Sequence, residues 1–218
     1  MDGSPLNEAE VRVLGALIEK EITTPEYYPL SLNALTNACN QINNRDPVMT
    51  LGAPAVVRAV ESLRDRRLAY VFSGAVNRVV KYGNKAAEVL ALSPAELAVL
   101  GVLMLRGPQT VGEIRGRTGR MHDFKDLAEV SAVLQALAAR PEPLVVCLPR
   151  QTGSKEPRYA QLLGGAVAAP TAPAETSPSP AAADETERVA KLQSEVEALR
   201  REMADLQQQF AAFRKQFE

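Results

Sequence analysis

The chain has 218 residues, of which 46% are hydrophobic and 23% charged, and its formal net charge is −1. That apolar share is too high for a wholly disordered chain and predicts one or more buried cores. The near-neutral charge excludes the strongly basic class of proteins that bind DNA tightly and without specificity, because neutralised phosphates supply most of that affinity.

Neither a secretory signal nor a membrane span is visible. The amino terminus, MDGSPLNEAEVR, lacks a basic segment followed by an apolar run. The longest apolar stretch, LAVLGVLML at residues 97–105, is less than half of the roughly 20 residues that cross a bilayer. We therefore expect a cytoplasmic protein without membrane contact.

Residue types suited to catalysis or metal binding are scarce. His122 is the single histidine, and the two cysteines, Cys39 and Cys147, lie far apart in sequence. These residues do not supply a zinc set or a Ser/His/Asp triad, and no acidic pair stands out for a site built from carboxylates alone. We expect no enzymatic activity, metal or cofactor, and we expect each cysteine to be a small buried or half-buried side chain.

The first part of the chain predicts three helices followed by a β-hairpin. Asn7 and Glu10 have the spacing of a capping box and begin the first helix, and Ser31 begins a short second one. APAVVRAVESLRDRR predicts the third helix, and LAYVFSGAVNRVVKYG predicts a hairpin around a Ser-Gly turn. The apolar faces of the first and third helices comprise Val11, Leu14, Leu17, Ile18, Val56, Val60 and Leu63.

The same order then repeats. Ser93, Pro94 and Glu96 form a helix start signal. TVGEIRGRTG and DLAEVSAVLQALAAR predict two further helices, and a last hairpin over PLVVCLPRQTGSKEPRYAQLL has its tip near Gly153. The apolar face of the first helix of this copy comprises Leu97, Leu100, Val102 and Leu103.

Three helices and a hairpin, twice, is the order of a winged helix-turn-helix domain. We predict an α+β, mainly α, protein with winged helix-turn-helix domain 1 at residues 1–88 and domain 2 at residues 89–163. A linker rich in Pro and Ala follows at residues 164–183, and a C-terminal coiled-coil helix at residues 184–218.

The coiled-coil prediction rests on apolar residues at alternating steps of three and four. They are Val189, Leu192, Val196, Leu199, Met203, Leu206, Phe210, Phe213 and Phe217. Val and Leu at the two core positions favour a parallel two-stranded homodimer. An alternative is a single amphipathic helix lying on the body, and the bulky terminal phenylalanines leave open a splayed end, a higher oligomer or a docked end.

Three segments resemble the YceH-like family of uncharacterised bacterial proteins. They are VLGALIEKEITTPEYYPLSLNALTNACNQINNRDPVM, SGAVNRVVKY and VLMLRGPQTVGEIRGRTGRMHDF. The resemblance covers about residues 6 to 164, and the long amide-rich segment is distinctive. It implies a pair of winged helix-turn-helix domains and assigns no biochemical function.

The stretch NQINNRDP, between the second and third helices, has two interpretations. In a helix-turn-helix module this connection approaches phosphates, so its amides and Arg45 could bind DNA. Alternatively, the amides satisfy backbone groups of a long irregular turn while Arg45 pairs with Asp46 or Glu61.

Candidate DNA contacts follow from polar and basic residues on this turn, on the third helix, on the helix at residues 110–119 and on the hairpins. They are Asn43, Asn44, Arg45, Arg58, Ser62, Arg66, Asn77, Arg78, Lys81, Arg115, Arg117, Arg120, Lys155 and Arg158. Each could also be part of an ordinary solvated face. The third helix of the second copy suits recognition poorly, because Glu129 and small residues dominate its exposed side.

Two function classes remain. The first is a dimeric protein that binds double-stranded DNA, such as a transcriptional regulator. The second is a non-enzymatic scaffold with an unidentified protein partner, since tandem winged-helix domains also occur as protein-binding modules, for example in bacterial chromosome condensation factors. RNA is a weaker option, because few aromatic residues are available for base stacking.

Overall fold

The computed structural model describes residues 4–73, 79–150 and 156–165, and this part of the chain is an α+β structure made mainly of helices. The helices are α1 (Glu8–Thr23), α2 (Leu32–Cys39), α3 (Ala53–Asp65), α4 (Ala86–Val89), α5 (Pro94–Arg106), α6 (Val111–Thr118) and α7 (Leu127–Ala138), with a short 3-10 helix at Pro25–Tyr27. The strands are β1 (Leu30–Ser31), β2 (Ala69–Phe72), β3 (Lys81–Asn84), β4 (Val145–Cys147) and β5 (Tyr159–Gln161).

The predicted coiled-coil helix with its seam residues, and all of the predicted linker beyond residue 165, lie outside the described residues. The order of three helices followed by a hairpin is present in both the first half (residues up to 88) and the second half (residues 89–165), with the short α4 between them. None of the helices in the described ranges is long and apolar enough to cross a membrane.

Helix starts predicted from the sequence are confirmed. The Asn7 side chain accepts from the Glu10 amide at 3.0 Å, and the Glu10 carboxylate accepts from the Asn7 amide at 2.9 Å, which closes a capping box on α1. Ser93 and Glu96 form the same box on α5. Ser31 caps α2 through its hydroxyl. These side chains bond amide groups that have no partner within the first turn of a helix.

The predicted apolar faces form the core. Every side chain predicted for these faces is buried except Val11, which is partly buried; the buried ones are Leu14, Leu17, Ile18, Val56, Val60, Leu63, Leu97, Leu100, Val102 and Leu103. Most of them belong to one continuous cluster that includes residues of both halves. Burial of this apolar surface is the main term that stabilises the fold.

The two halves meet where α1 packs on α5. A Cβ atom at Gly15 of α1 would lie only 2.9 Å from Met104 Cβ of α5, and one at Gly101 of α5 would lie 3.1 Å from Ile18 Cγ2 of α1. Glycine at both positions therefore lets the two helix backbones approach closely. All of the described residues fall in one compact unit.

Each half contains a small antiparallel sheet. In the first, the strand order is β1-β3-β2, with Leu30 opposite Tyr82. Strand β1 was not predicted, since two residues are too few to show alternation. In the second half, β4 pairs with β5. The hairpin tips at residues 74–78 and 151–155, which contain Asn77, Arg78 and Lys155, lie outside the described residues.

Candidate anion-binding site

The amide-rich connection between α2 and α3, residues 40–52, is held in place by its own side chains. The Asn40 side chain donates to the Leu51 carbonyl at 2.8 Å and accepts from the Leu51 amide at 2.7 Å, so it joins the two ends of the loop. The Asp46 amide donates to the carbonyl of Leu105 in α5 at 2.9 Å. The loop is therefore fixed both to itself and to the second half.

Arg45 points inward, which corrects its prediction as a phosphate contact. Its side chain is fully buried and pairs with the Glu19 carboxylate of α1 at 2.6 Å. Its Nε also donates to the Ala38 carbonyl at 3.0 Å. Neither predicted partner, Asp46 nor Glu61, is used. The buried guanidinium ties the loop to the last turns of α1 and α2 and cannot reach a DNA phosphate without breaking this pair.

A second buried arginine lies close by. Arg12 of α1 donates to the Cys39 carbonyl at 3.1 Å and to the Pro47 carbonyl at 2.6 Å. Burial lowers the pKa of Arg12, and the nearby charge of Arg45 lowers it further. Arg12 stands between Val11 and Val13 in the sequence. No local pattern distinguishes this buried arginine from one that faces solvent, so its role was missed.

The cysteines differ in environment. Cys39 is buried as expected, and burial raises the pKa of its thiol to about 12, so it stays protonated at neutral pH. Cys147 is exposed, which corrects its expected burial. Within the described ranges, no group of three or more His, Cys, Asp or Glu side chains is placed to hold a metal ion.

Several other predicted DNA contacts bind groups of the protein itself. Arg66 donates to the hydroxyl and the carbonyl of Ser4. Arg115 donates to the Lys125 carbonyl at 2.9 Å. Arg158 donates to the Glu113 carboxylate at 2.9 Å. These arginines stabilise turns and helix ends, so fewer of their N–H groups remain for a ligand.

Three predicted basic residues have no such partner. Arg58 on α3 and Arg120 after α6 are exposed, and Lys81 on β3 is half-buried. Among the described residues, none of their side chains forms a hydrogen bond or an ion pair. Ser62, predicted beside Arg58, is half-buried on the same helix.

The last three predicted residues converge with Arg120 on a cleft of about 410 Å³ between α1, the amide loop and the C-terminal ends of α5 and α6. We call it the basic cleft. Asn43 and Asn44 from the loop line it, as do Arg117 and Arg120 from the second half. The sequence placed these pairs in separate domains, and only the packing of α1 on α5 brings them together.

The cleft also contains Lys20 and Arg106, which the sequence reasoning missed. Lys20, Arg106 and Arg117 each occupy the last turn of a helix. A cation there complements the negative end of the helix dipole, so each looks like ordinary capping when read alone. The signal in retrospect is that α1, α5 and α6 each end in a cation.

The electrostatics of the cleft are dominated by these cations. Burial lowers the pKa of Arg106, and the charges of Arg117 and Arg45 lower it further. Glu19 is the one acidic residue among those that line the cleft in the described structure, and it already pairs with Arg45. The cleft therefore carries a surplus of positive charge.

Glu113, beside the cleft, does not remove this surplus. Burial of its carboxyl group raises the pKa, but the hydrogen bond from the Thr110 amide and the charge of Arg158 outweigh burial, so the pKa is lowered. The ionised carboxylate lies 2.9 Å from Arg158 and 3.8 Å from Arg117. Arg158 is thus its principal partner, and Arg117 keeps hydrogen-bond donors for the cleft.

Comparison with known proteins identifies the family. The family described as "Protein of unknown function, DUF480" matches residues 6–154. A UPF0502 protein of Opitutus terrae is 58% identical over 196 residues, covering 89% of this chain and 83% of that protein. A UPF0502 protein of Geotalea uraniireducens is 56% identical over 218 residues, 98% of each chain. One of Geobacter sulfurreducens is 52% identical over 217 residues, again 98% of each. The chain belongs to the DUF480 family of uncharacterised bacterial proteins, as the resemblance in its sequence indicated.

Proposed function

We propose that the protein is a dimeric DNA-binding protein, of the kind that regulates transcription, and that each half is a winged helix-turn-helix domain. In the first half, α2 and α3 would form the helix-turn-helix, and β2 and β3 the wing. The third helix of such a domain can enter the major groove, while the wing and turn contact phosphates.

The observation that carries this proposal is the position of Arg58. Helix α3 buries Val56, Val60 and Leu63 on one face and exposes Arg58 on the other. A guanidinium group without an internal partner can donate two parallel hydrogen bonds to a phosphate group. Lys81 on β3 supplies a second cation, while the predicted contacts Asn77 and Arg78 lie outside the described residues.

The outward side of α3 is not uniformly basic. It also carries Glu61, and Arg64 lies 3.7 Å from Asp65. This mixture suits contacts that position the helix on the DNA backbone more than contacts that read bases. A single copy would bind weakly, and a dimer joined by the predicted seam would gain affinity because its second contact becomes intramolecular.

The second half supports a different role, that of the protein-interaction scaffold. The outward side of α7 carries no cation, and Leu127 at its start is 50% exposed. Ala128, Ala132, Gln135 and Ala136 are also exposed along this helix. A helix face without a cation and with an exposed leucine would attract a protein partner more readily than a polyanion.

A mobility-shift titration tests DNA binding. We expect the full-length protein to bind random duplex DNA at low salt with an affinity that falls steeply as salt rises. Arg58→Ala should weaken binding to all sequences alike and reduce the slope of log affinity against log salt by about 1, since one phosphate contact is lost. Lys125→Ala is the matched control, because it removes one exposed charge from the loop before α7.

Negligible DNA binding at low salt, with no dependence on salt concentration, would contradict the DNA proposal and favour the scaffold. Equal losses in the Arg58 and Lys125 variants would show a nonspecific effect of net charge, and would also contradict the α3 surface.

The dimer is tested by light scattering of the full chain. Leu199→Glu should convert the dimer to monomer, because it places a charge at a core position of the predicted seam. Ser194→Glu is the control, since its predicted heptad position faces away from the partner helix. A Leu199→Glu variant that keeps the mass of a dimer would show that the seam does not hold the copies together.

A further inference from the structure

We propose that the basic cleft binds a small phosphorylated ligand of about nucleotide size. The cleft is distinct from the α3 and wing surface proposed for DNA, and this inference stands on the geometry of the cleft alone. Its walls come from both halves, so a bound ligand would contact each of them.

The amides of the cleft present donors. The Gln41 side-chain oxygen accepts from Arg45 at 2.9 Å, and the Asn44 side-chain oxygen accepts from Arg106. Because these bonds occupy the oxygen of each amide, the NH₂ group of each remains as a donor without a partner among the described residues. The Asn43 side chain has no hydrogen bond there either. Such a set of donors suits a ligand rich in acceptors, as a phosphate group is.

The cations of the cleft outnumber the acids near them, since Arg117 shares Glu113 with Arg158 and has it only at 3.8 Å. Lys20 Nζ lies 3.7 Å from the Glu19 carboxylate, beyond hydrogen-bond distance, and that carboxylate is already bonded to Arg45. Arg106 and Arg117 are close enough for the charge of Arg117 to lower the pKa of Arg106. Like charges gathered in a partly buried cleft repel each other, and a phosphate group placed among them would relieve this repulsion.

Helix capping alone does not account for this arrangement. A cation in the last turn of a helix is stabilised by the dipole of that helix wherever the helix points. Here Lys20, Arg106 and Arg117 end three different helices and still line one cleft. Their convergence, together with the amide donors, is the feature that a phosphate-binding site requires.

The size and the walls of the cleft indicate more than an inorganic ion. A volume of about 410 Å³ lies in the range of about 300 to 1,000 Å³ typical of small-molecule sites. Val102, Leu105 and Met121 give the cleft an apolar side. Ile42 also lines the cleft, and 81% of its surface is exposed. An organic group attached to the phosphate could pack against these side chains.

Isothermal titration of the full-length protein with pyrophosphate, ADP and adenosine tests the proposal. We expect pyrophosphate or ADP to bind and adenosine to bind at least about tenfold more weakly than ADP. Arg117→Gln and Arg120→Gln should each weaken binding by about tenfold, the effect expected of one lost charge-assisted contact. The Arg120 side chain forms no internal hydrogen bond or ion pair among the described residues, so Arg120→Gln still tests the proposal if Arg117→Gln impairs folding.

Failure of this proposal can be told from failure of the DNA proposal. Arg58→Ala should leave ligand binding unchanged, and Arg106→Gln should leave the DNA mobility shift unchanged. The cleft proposal is overturned if neither pyrophosphate nor ADP binds with a Kd below about 1 mM, if adenosine binds as well as ADP, or if the Arg120 variant binds like the unmodified protein. Binding confined to a 5′-phosphorylated oligonucleotide would also overturn it, because the ligand would then be a nucleic acid end.

Discussion

Replacing Arg45 by methionine is expected to lower the free energy of unfolding by about 3 to 5 kcal/mol, the range found when one partner of a buried ion pair is removed. The Glu19 carboxylate, whose side chain is only 13% exposed, would lose its 2.6 Å partner. The carbonyls of Ala38 and Asn44 would lose donors as well. Chemical denaturation followed by circular dichroism measures the change.

The control for this variant is Arg58→Met, the same substitution at an exposed position. Its effect on stability should stay within about 0.5 kcal/mol. Adding Glu19→Leu to Arg45→Met should recover part of the loss, because the double variant no longer buries an unpaired charge. A loss below about 1 kcal/mol for Arg45→Met would mean that water reaches the Glu19 carboxylate and that the pair does not hold the loop.

Gly15→Val is expected to lower the free energy of unfolding by about 3 kcal/mol, at the upper end for overpacking a core. The new Cβ would lie 2.9 Å from Met104 Cβ, an atom next to the backbone of α5 that cannot rotate away. Helices α1 and α5 would have to separate to admit the side chain. The same denaturation experiment measures the effect.

Gly116→Val provides the matched control, since Gly116 is also helical but, beyond its chain neighbours and its own helix backbone, nothing lies within 4 Å of the site of its Cβ. Glycine and valine are both poor helix formers, so this substitution should be close to neutral. Equal effects at the two positions would show that helix propensity, and not the close approach of α1 and α5, governs the result.

Local signals made much of the fold predictable. The Ser93 and Glu96 capping box and the spacing of Val56, Val60 and Leu63 depend only on neighbours within a few residues, and the structure confirms them. Strand β1 was missed because it exists only through its pairing with β3, a segment about fifty residues later in the chain. Such a pairing leaves no periodic pattern in two residues.

The candidate site was harder to predict for the same reason. Arg45 has the polar neighbours of an exposed turn, and its burial follows from Glu19, which lies 26 positions earlier. Lys20 and Arg106 resemble ordinary helix-end cations until α1 packs on α5. The sequence around a charged residue does not show which distant residue it pairs with. Predictions for residues whose role depends on distant contacts were therefore wrong or missing.

The close contact of α1 with α5 makes the two halves depend on each other for the burial of apolar surface. Each half covers apolar surface of the other, so neither is an independent domain that could be excised and joined to another protein. A swap of one repeat for a foreign copy would succeed only if the newcomer also left room opposite Gly15 and Gly101. The two halves are therefore a single structural unit.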